Sequence, residues 1–262
     1  MERLTAKNND KIKAAISLRD SSKSRRKAGL FFLEGARLCS DAALSGREIY
    51  RAFFTEDALE KYADKCSPII EKAEECYCIS DEISQKMSDT QSSQGIFCLC
   101  RMNNISLDKI DYNGKYIMLE NVQDPSNFGA VSRTAEALGI NGIIIFSGCD
   151  IYNPKALRAS MGSSPRLNIF TCENAVEFIE NANANGMLTL ASTPSSDAEK
   201  INSTDMAGGV ICVVGNEGNG ITPETMKSCK KRVTIPMGGR AESLNAATAA
   251  SILIWEMMKN DR

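Results

Sequence analysis

Val214-Gly215-Asn216-Glu217-Gly218-Asn219-Gly220-Ile221 has the form of a buried strand that runs into a glycine-rich turn. Ile235-Pro236-Met237-Gly238-Gly239 and then Glu242-Ser243-Leu244-Asn245-Ala246-Ala247 repeat that form and lead into a helix. Such turns present bare backbone N–H and C=O groups to a small ligand while a few side chains reach a reacting atom. Two of them close together point to one shared pocket, and to a protein that binds a small molecule and acts on something beside it. Written as G-x-x-G-x-G, residues 215–220 resemble a dinucleotide fingerprint, but the spacing is wrong and the position is late in the chain. A simple turn and a site contact through Glu217 both remain open at this point.

Upstream of these turns, strands and helices alternate. Strands are expected at 116–119, 142–146, 167–170, 187–191, 210–214 and 232–235, and helices at 126–138, 154–161, 174–184, 222–229 and 245–259. Runs such as Ile143-Ile144-Ile145-Phe146 and Val210-Ile211-Cys212-Val213-Val214 are apolar throughout, as strands buried on both faces of a parallel sheet are. Residues 102–113 are polar and broken, and form the candidate linker. Before it, helices at 9–19, 35–44, 56–63, 67–75 and 81–87 alternate with strands at 31–33, 49–54, 77–79 and 95–100. A small α/β sandwich is expected there. The two domains are set at 1–105 and 113–262.

The chain has 262 residues with 43% hydrophobic content, enough for real cores. No run of about 18 apolar residues marks a membrane span, and the first residues lack the apolar stretch of a signal peptide. A cytoplasmic location is the expectation. The ten cysteines include Cys76-Tyr77-Cys78 and Cys98-Leu99-Cys100, C-x-C pairs in alternating apolar stretches rather than the C-x-x-C pairs of zinc sites. They read as reduced, mostly buried thiols, and no metal is expected. There is no histidine, so no Ser–His or Cys–His couple is available.

The formal net charge is −2, yet residues 1–29 carry nine cations against three carboxylates, a local +6. A local basic patch attracts phosphate whatever the total charge. A solvated N-terminal segment accounts for the same charges equally well.

A third polar segment is Asn121-Val122-Gln123-Asp124-Pro125-Ser126-Asn127-Phe128-Gly129-Ala130-Val131-Ser132-Arg133. Asp124 followed by Pro125 is a helix start. Phe128, Val131, Ala135 and Leu138 form the buried stripe, and Arg133 falls roughly 160–200° around the helix from it. Arg133 is therefore not needed for the core. Asn127, Ser243 and Asn245 each have a plain capping role as an alternative to a site role.

The three segments together, in this order, resemble the SpoU/TrmH-type family of the SPOUT RNA methyltransferases. N-x-x-D-P-x-N-x-G-A-x-x-R stands at 121–133, V-G-N-E-G-x-G-I at 214–221 and I-P-M-x-G-x-x-E-S-L-N-A-A-x-A at 235–249. Phe32-Leu33-Glu34-Gly35-Ala36-Arg37 and Ser88–Ile96 resemble the same family's substrate-binding domain, which is similar to RNA-binding ribosomal proteins. The resemblance implies an α/β parallel-sheet domain whose C-terminal part is threaded into a deep trefoil knot, beside a small RNA-binding α/β sandwich. It implies methyl transfer from S-adenosylmethionine to a ribose 2′-hydroxyl of RNA by a homodimer, with the first-motif and last helices near the interface.

Carried onto this chain, Thr193, Gly215, Asn216, Gly220, Ile235, Met237 and Leu244 are expected around the cofactor. Arg133 is expected at the reaction, with Asn127, Glu217, Ser243 and Asn245 around it. Arginine stays protonated, so Arg133 is expected to hold a phosphate or the developing oxyanion, with Glu217 or a substrate phosphate taking the proton. Lys23, Arg25, Arg26 and Arg37 are the expected RNA contacts. The basic start and the added domain favour large-subunit ribosomal RNA as substrate. Transfer RNA methylation is the alternative within the class. A non-catalytic RNA-binding protein of ribosome assembly and a metabolite- or dinucleotide-binding α/β protein are the alternatives outside it.

Overall fold

Alternate residues of the strand Ile96–Arg101 face opposite ways: Ile96, Cys98 and Cys100 bury in one apolar cluster, Phe97 and Leu99 in another. A strand buried on both faces lies inside a sheet covered on both sides. The computed structural model describes residues 1–102 and 105–259. It divides into two units, Met1–Asn103 with Asp150–Arg166, and Asn104–Cys149 with Leu167–Arg262.

The first unit contains β1 (Glu2–Leu4), α1 (Asp10–Asp20), α2 (Ser22–Ala28), β2 (Leu30–Glu34), α3 (Ala36–Leu44) and β3 (Ile49–Phe54). It continues through α4 (Glu56–Lys61), α5 (Ala63–Lys72), β4 (Ala73–Ile79), α6 (Asp81–Met87) and β5 (Ile96–Arg101). The sheet order is β1-β4-β3-β5-β2. β1, β4 and β3 run parallel, and β5 is antiparallel to both β3 and β2. Ile12, Ala15 and Leu18 of α1, with Ile83 and Met87 of α6, pack on the face of Phe32, Phe53 and Phe97. Cys39 and Ala42 of α3, with Cys66 and Ile69 of α5, cover the other face, where Phe31, Phe54 and the two β5 thiols lie. Burial holds the Cys98 and Cys100 thiols far above the usual thiol range, as expected of small hydrophobes.

One departure from the sequence expectations is decided by a cross-strand contact. The helix expected over 67–75 stops at Lys72, and Ala73–Glu75 open β4. Those residues pair with β3, Arg51 lies opposite Glu75, and Arg51 Nε donates to Glu75 Oε2 at 2.6 Å. A cross-strand ion pair thus outweighs local helix preference. The edge strand β1 and the helix α2 were also not anticipated.

The second unit begins with β6 (Lys115–Glu120), α7 (Pro125–Leu138) and β7 (Gly142–Phe146). The chain then contributes Asp150–Arg166, including α8 (Pro154–Ala159), to the first unit. There Leu157 joins the apolar cluster, the Tyr152 ring lies 4.7 Å from that of Phe31, and Asp150 pairs with Arg25. A contiguous division at 105 and 113 does not describe this excursion. The second unit resumes with β8 (Ile169–Cys172), α9 (Ala175–Ala184), β9 (Leu188–Ser192), β10 (Glu199–Lys200) and β11 (Val210–Val214). It closes with α10 (Pro223–Ser228), β12 (Lys231–Thr234) and α11 (Ala246–Met258).

Its seven strands are all parallel, in the order β10-β12-β9-β11-β6-β7-β8. All five residues of β11 are buried, as its apolar run requires. Side chains of α9 join the cluster on one face, and α7 and α11 pack on each other and against β7, β6 and β11. The linker expected at 102–113 includes residues 103 and 104, which lie outside the described residues. Its later part forms a 3-10 turn at Leu107–Lys109, and Ile105 bridges to Phe170.

Candidate active site

The carboxyl ends of β9, β11 and β12 lie side by side, and a cavity of about 360 Å³ opens over them. Ligands of open α/β sheets bind at such strand ends. Ser192 and Thr193 enter from β9, Val214 to Ile221 from β11, and Thr234, Ile235 and Met237 from β12. Ser243, Leu244, Ala246 and Ala249 close it from the start of α11. All seven residues expected around a cofactor (Thr193, Gly215, Asn216, Gly220, Ile235, Met237 and Leu244) line this one cavity. Its size is that of small-molecule sites, and its lining mixes apolar side chains with turn backbone. The residues present therefore fit a compact ligand with both apolar and hydrogen-bonding parts.

The loop after β11 owes its shape to two glycines. A Cβ on Gly215 would stand 2.1 Å from the carbonyl carbon of Gly220, so only glycine lets the loop close on itself. Gly220 has φ +67°, and its N–H and C=O pair with those of Asn216, each at 3.0 Å. Asn216 Oδ1 accepts from Gly218 N at 2.9 Å and Asn219 N at 3.0 Å. Its Nδ2 donates to Asn121 O at 2.9 Å. The loop is thereby fastened to the segment that precedes α7.

Glu217 reaches across the same gap. Its Oε1 accepts from Asn127 Nδ2 at 2.7 Å, and Oε2 accepts from Gln123 N at 3.3 Å. Asn127, 8% exposed in the first turn of α7, accepts at Oδ1 from Asn245 Nδ2 at 3.0 Å. Asn245 also caps α11, accepting from Ala247 N at 2.9 Å and Thr248 N at 3.2 Å. One amide thus both caps α11 and braces Asn127. Burial works to raise the Glu217 carboxyl, but its own backbone N–H, the Asn127 amide and the Gln123 and Asp124 N–H groups outweigh it. The carboxyl is held below its ordinary 4.5.

Arg133 stands apart from this cluster. Six residues beyond Asn127, it lies about 9 Å along the helix and on another face. It is exposed, it does not line the cavity, and among the described residues no hydrogen bond or ion pair holds it. Ser243 lines the cavity without joining the Asn127–Glu217–Asn245 network.

Glu120 was missed at the sequence level. It ends β6, is 1% exposed, and its Oε1 accepts from Thr222 N at 3.3 Å and Thr225 Oγ1 at 3.2 Å. Its Oε2 is buried without a hydrogen-bond partner among the described residues. With Asn121, it holds both ends of the 216–222 loop. A carboxylate directly after the apolar run 116–119 was the available signal.

Of the expected RNA contacts, Lys23, Arg26 and Arg37 are exposed on the first unit, with Arg37 near Asp41 at 3.7 Å. Arg25 is a correction. It is 2% exposed, its Nε donates to Asp150 Oδ2 at 2.8 Å, and its Nη1 donates to the carbonyls of Leu18 and Arg19. A guanidinium so committed is part of the fold and not a contact for phosphate. Among the described residues, no group of His, Cys, Asp and Glu is placed to hold a metal ion, and no helix is long and apolar enough to cross a membrane.

Comparison with known proteins accords with this geometry. Residues 9–98 match the MRM3-like substrate binding domain. The 23S rRNA (guanosine(2553)-2'-O)-methyltransferase RlmP of Bacillus subtilis is 27% identical over 258 residues, covering 98% of this chain and 99% of that protein. The 23S rRNA (uridine(2479)-2'-O)-methyltransferase of Streptomyces viridochromogenes is 26% identical over 243 residues, covering 90% and 84%. The AdoMet-bound rRNA methyltransferase of Sinorhizobium meliloti shares the fold, with a TM-score of 0.89 at 24% identity over 99% of this chain and 98% of that one. Residues 114–255, which hold the cavity and all three polar segments, match the SpoU rRNA Methylase family, and the chain belongs to that family.

Proposed function

We propose that this protein methylates a ribose 2′-hydroxyl of large-subunit ribosomal RNA, with S-adenosylmethionine as donor. The observation that carries this reading is the cavity over β9, β11 and β12, with the Asn127–Glu217–Asn245 network beside it. When bound, the cofactor supplies an electrophilic methyl group on a sulfonium. Thr193, Ile235, Met237 and Leu244 would hold it, together with the backbone of residues 215–220. Names of relatives that act on 23S rRNA and a matched substrate-binding domain support ribosomal over transfer RNA.

The chain's own groups do the positioning. Asn127 is fixed at both ends of its amide and keeps the start of α7 in register with the cavity loops. Much of the rate should come from holding the hydroxyl in line with the methyl group. Arg133 carries a permanent charge suited to a phosphate or a developing oxyanion. Glu217, held below the ordinary carboxylate range, is a weak base at neutral pH. Glu217 and a substrate phosphate oxygen are the two acceptors open to the hydroxyl proton, and a phosphodiester is no stronger a base than this carboxylate.

A homodimer joined through α7 and α11 belongs to the same proposal. Trp255, 52% exposed on α11, gives that face an apolar anchor. Arg133, unused by the cavity of its own chain, is then available to the second copy. A knotted C-terminal segment and a cytoplasmic location complete the proposal. The path from β12 across the ends of β9 and β11 to α11 supports the knot.

The test is transfer of labelled methyl from S-adenosylmethionine to unmodified 23S rRNA and to tRNA transcripts, with 2′-O-methyl positions mapped. Label on tRNA alone would move the substrate to the alternative within the class. Cofactor binding with transfer to neither RNA would favour a non-catalytic RNA-binding protein.

A further inference from the structure

The helix α2, Ser22-Lys23-Ser24-Arg25-Arg26-Lys27-Ala28, has no large apolar side chain, and its one buried residue is Arg25. Seven residues, six of them polar, do not hold a helix in water by propensity, and no hydrophobic stripe docks this one. Arg25 does so instead. Its guanidinium pairs with Asp150 and donates to the carbonyls of Leu18 and Arg19 in α1. Ser21 caps the start by accepting from Ser24 N, and Gly29 closes the end at φ +64°.

What this anchoring presents is charge. On a helical wheel Lys23, Arg26 and Lys27 fall within an arc of about 100°, with Arg25 about 150° from its centre. All three are exposed, and among the described residues none has a carboxylate partner. Several exposed cations of the unit do have one, Arg3 with Glu56, Lys7 with Glu82, Lys13 with Asp10 and Arg101 with Glu74; Lys61 and Lys72 have none among the described residues but stand on different helices, whereas the three on α2 share one face. A cationic face left unneutralised in an acidic chain is suited to an anion from outside.

We propose that α2 is a phosphate-gripping element of the RNA interface, with Lys23, Arg26 and Lys27 contacting the backbone and Arg25 positioning them from behind. The proposal rests on the RNA-methylating function given above. A membrane surface suits the face poorly, because an interfacial helix needs apolar residues to bury and α2 offers none. Backbone contacts carry little sequence information, so α2 supplies affinity rather than choice of nucleotide.

The test replaces Lys23, Arg26 and Lys27 together by Glu in the full chain. A control variant places the same charge change on Lys61, Lys65 and Lys72, exposed on α4 and α5. Binding to an unmodified 23S rRNA transcript is measured across a salt series, with S-adenosylhomocysteine affinity and unfolding temperature alongside. The α2 variant should bind at least about tenfold more weakly, and the slope of log K against log salt should fall by about 2, as loss of three single-strand phosphate contacts requires. Cofactor affinity, unfolding temperature and the control variant's RNA binding should stay at the wild-type level. An α2 variant that binds the transcript with wild-type affinity and slope overturns the proposal, as does one that loses only affinity for phosphatidylserine vesicles. If the wild-type chain itself neither binds nor methylates the transcript, the parent reading fails instead.

Discussion

The Asn127 side chain donates from Nδ2 to Glu217 Oε1 at 2.7 Å, linking α7 to the loop after β11. One amide and one carboxylate, far apart in sequence, set the distance between a polar helix start and the floor of the cavity. Glu217 is held low by hydrogen bonds that outweigh its burial, so its folded value lies below the ordinary 4.5. Its contribution to loop stability is complete above that ordinary value and fades as pH falls through the depressed one. Cofactor affinity should therefore be flat from this group between pH 5.5 and 8, as rough bounds, and weaken only in acid. Titration with S-adenosylhomocysteine across pH checks this, and Glu217→Gln should lose the acid step. A base limb in methyl transfer near neutral pH that vanishes in Glu217→Gln would instead make Glu217 the proton acceptor.

Arg133 is free of partners among the described residues, so its removal should not disturb the fold. Arg133→Ala is expected to lower methyl transfer by about 10²–10³-fold, the usual cost of losing one oxyanion or phosphate donor. Unfolding temperature and S-adenosylhomocysteine affinity should be unchanged. Retained transfer would remove Arg133 from the mechanism.

Gly215→Ala puts a methyl group 2.1 Å from backbone that cannot yield without opening the Asn216–Gly220 turn. Stability should fall by about 1–3 kcal/mol. Stabilisation by S-adenosylhomocysteine in a thermal shift should be lost, because the opened turn forms a wall of the cavity.

Asp150→Asn leaves the Arg25 guanidinium, 2% exposed, without its counter-charge. Removing one partner of a buried pair costs about 3 kcal/mol or more, and urea denaturation of the full chain should show a loss of that order. A change below about 0.5 kcal/mol would mean that the pair does not anchor α2.

Strand and helix alternation in the C-terminal part was legible because period and length were unambiguous: the strands expected at 142–146 and 210–214 are β7 and β11. The helix expected at 81–87 is α6. The turn residues were legible because Gly215 and Gly220 serve backbone needs that few other residues meet. Three features were hidden for a shared reason. The strand start at Ala73 depends on Arg51, the helix α2 on Asp150, and the burial of Glu120 on Thr222 and Thr225. Each is decided by a partner distant in the chain, which local propensity cannot register. The separation of Arg133 from Asn127 is of another kind. Helix geometry puts the two on different faces, and one motif contains both because a motif records order along the chain and not direction in space.

Glu120 offers the last check, because it ties the far end of the cavity loop to the sheet. Its Oε1 accepts from Thr222 N and Thr225 Oγ1, and Thr222 follows Ile221, which lines the cavity. Glu120→Ala leaves an N–H and a hydroxyl unsatisfied beside the first turn of α10, a cost of about 1–3 kcal/mol. That cost should appear both in unfolding and in the donor site: KM for S-adenosylmethionine should rise severalfold, while KM for RNA should not move. Glu120→Gln keeps one oxygen for both donors and should restore most of the donor affinity. Equal changes in both Michaelis constants, or no rescue by glutamine, would mean that Glu120 supports the fold generally and does not set the loop.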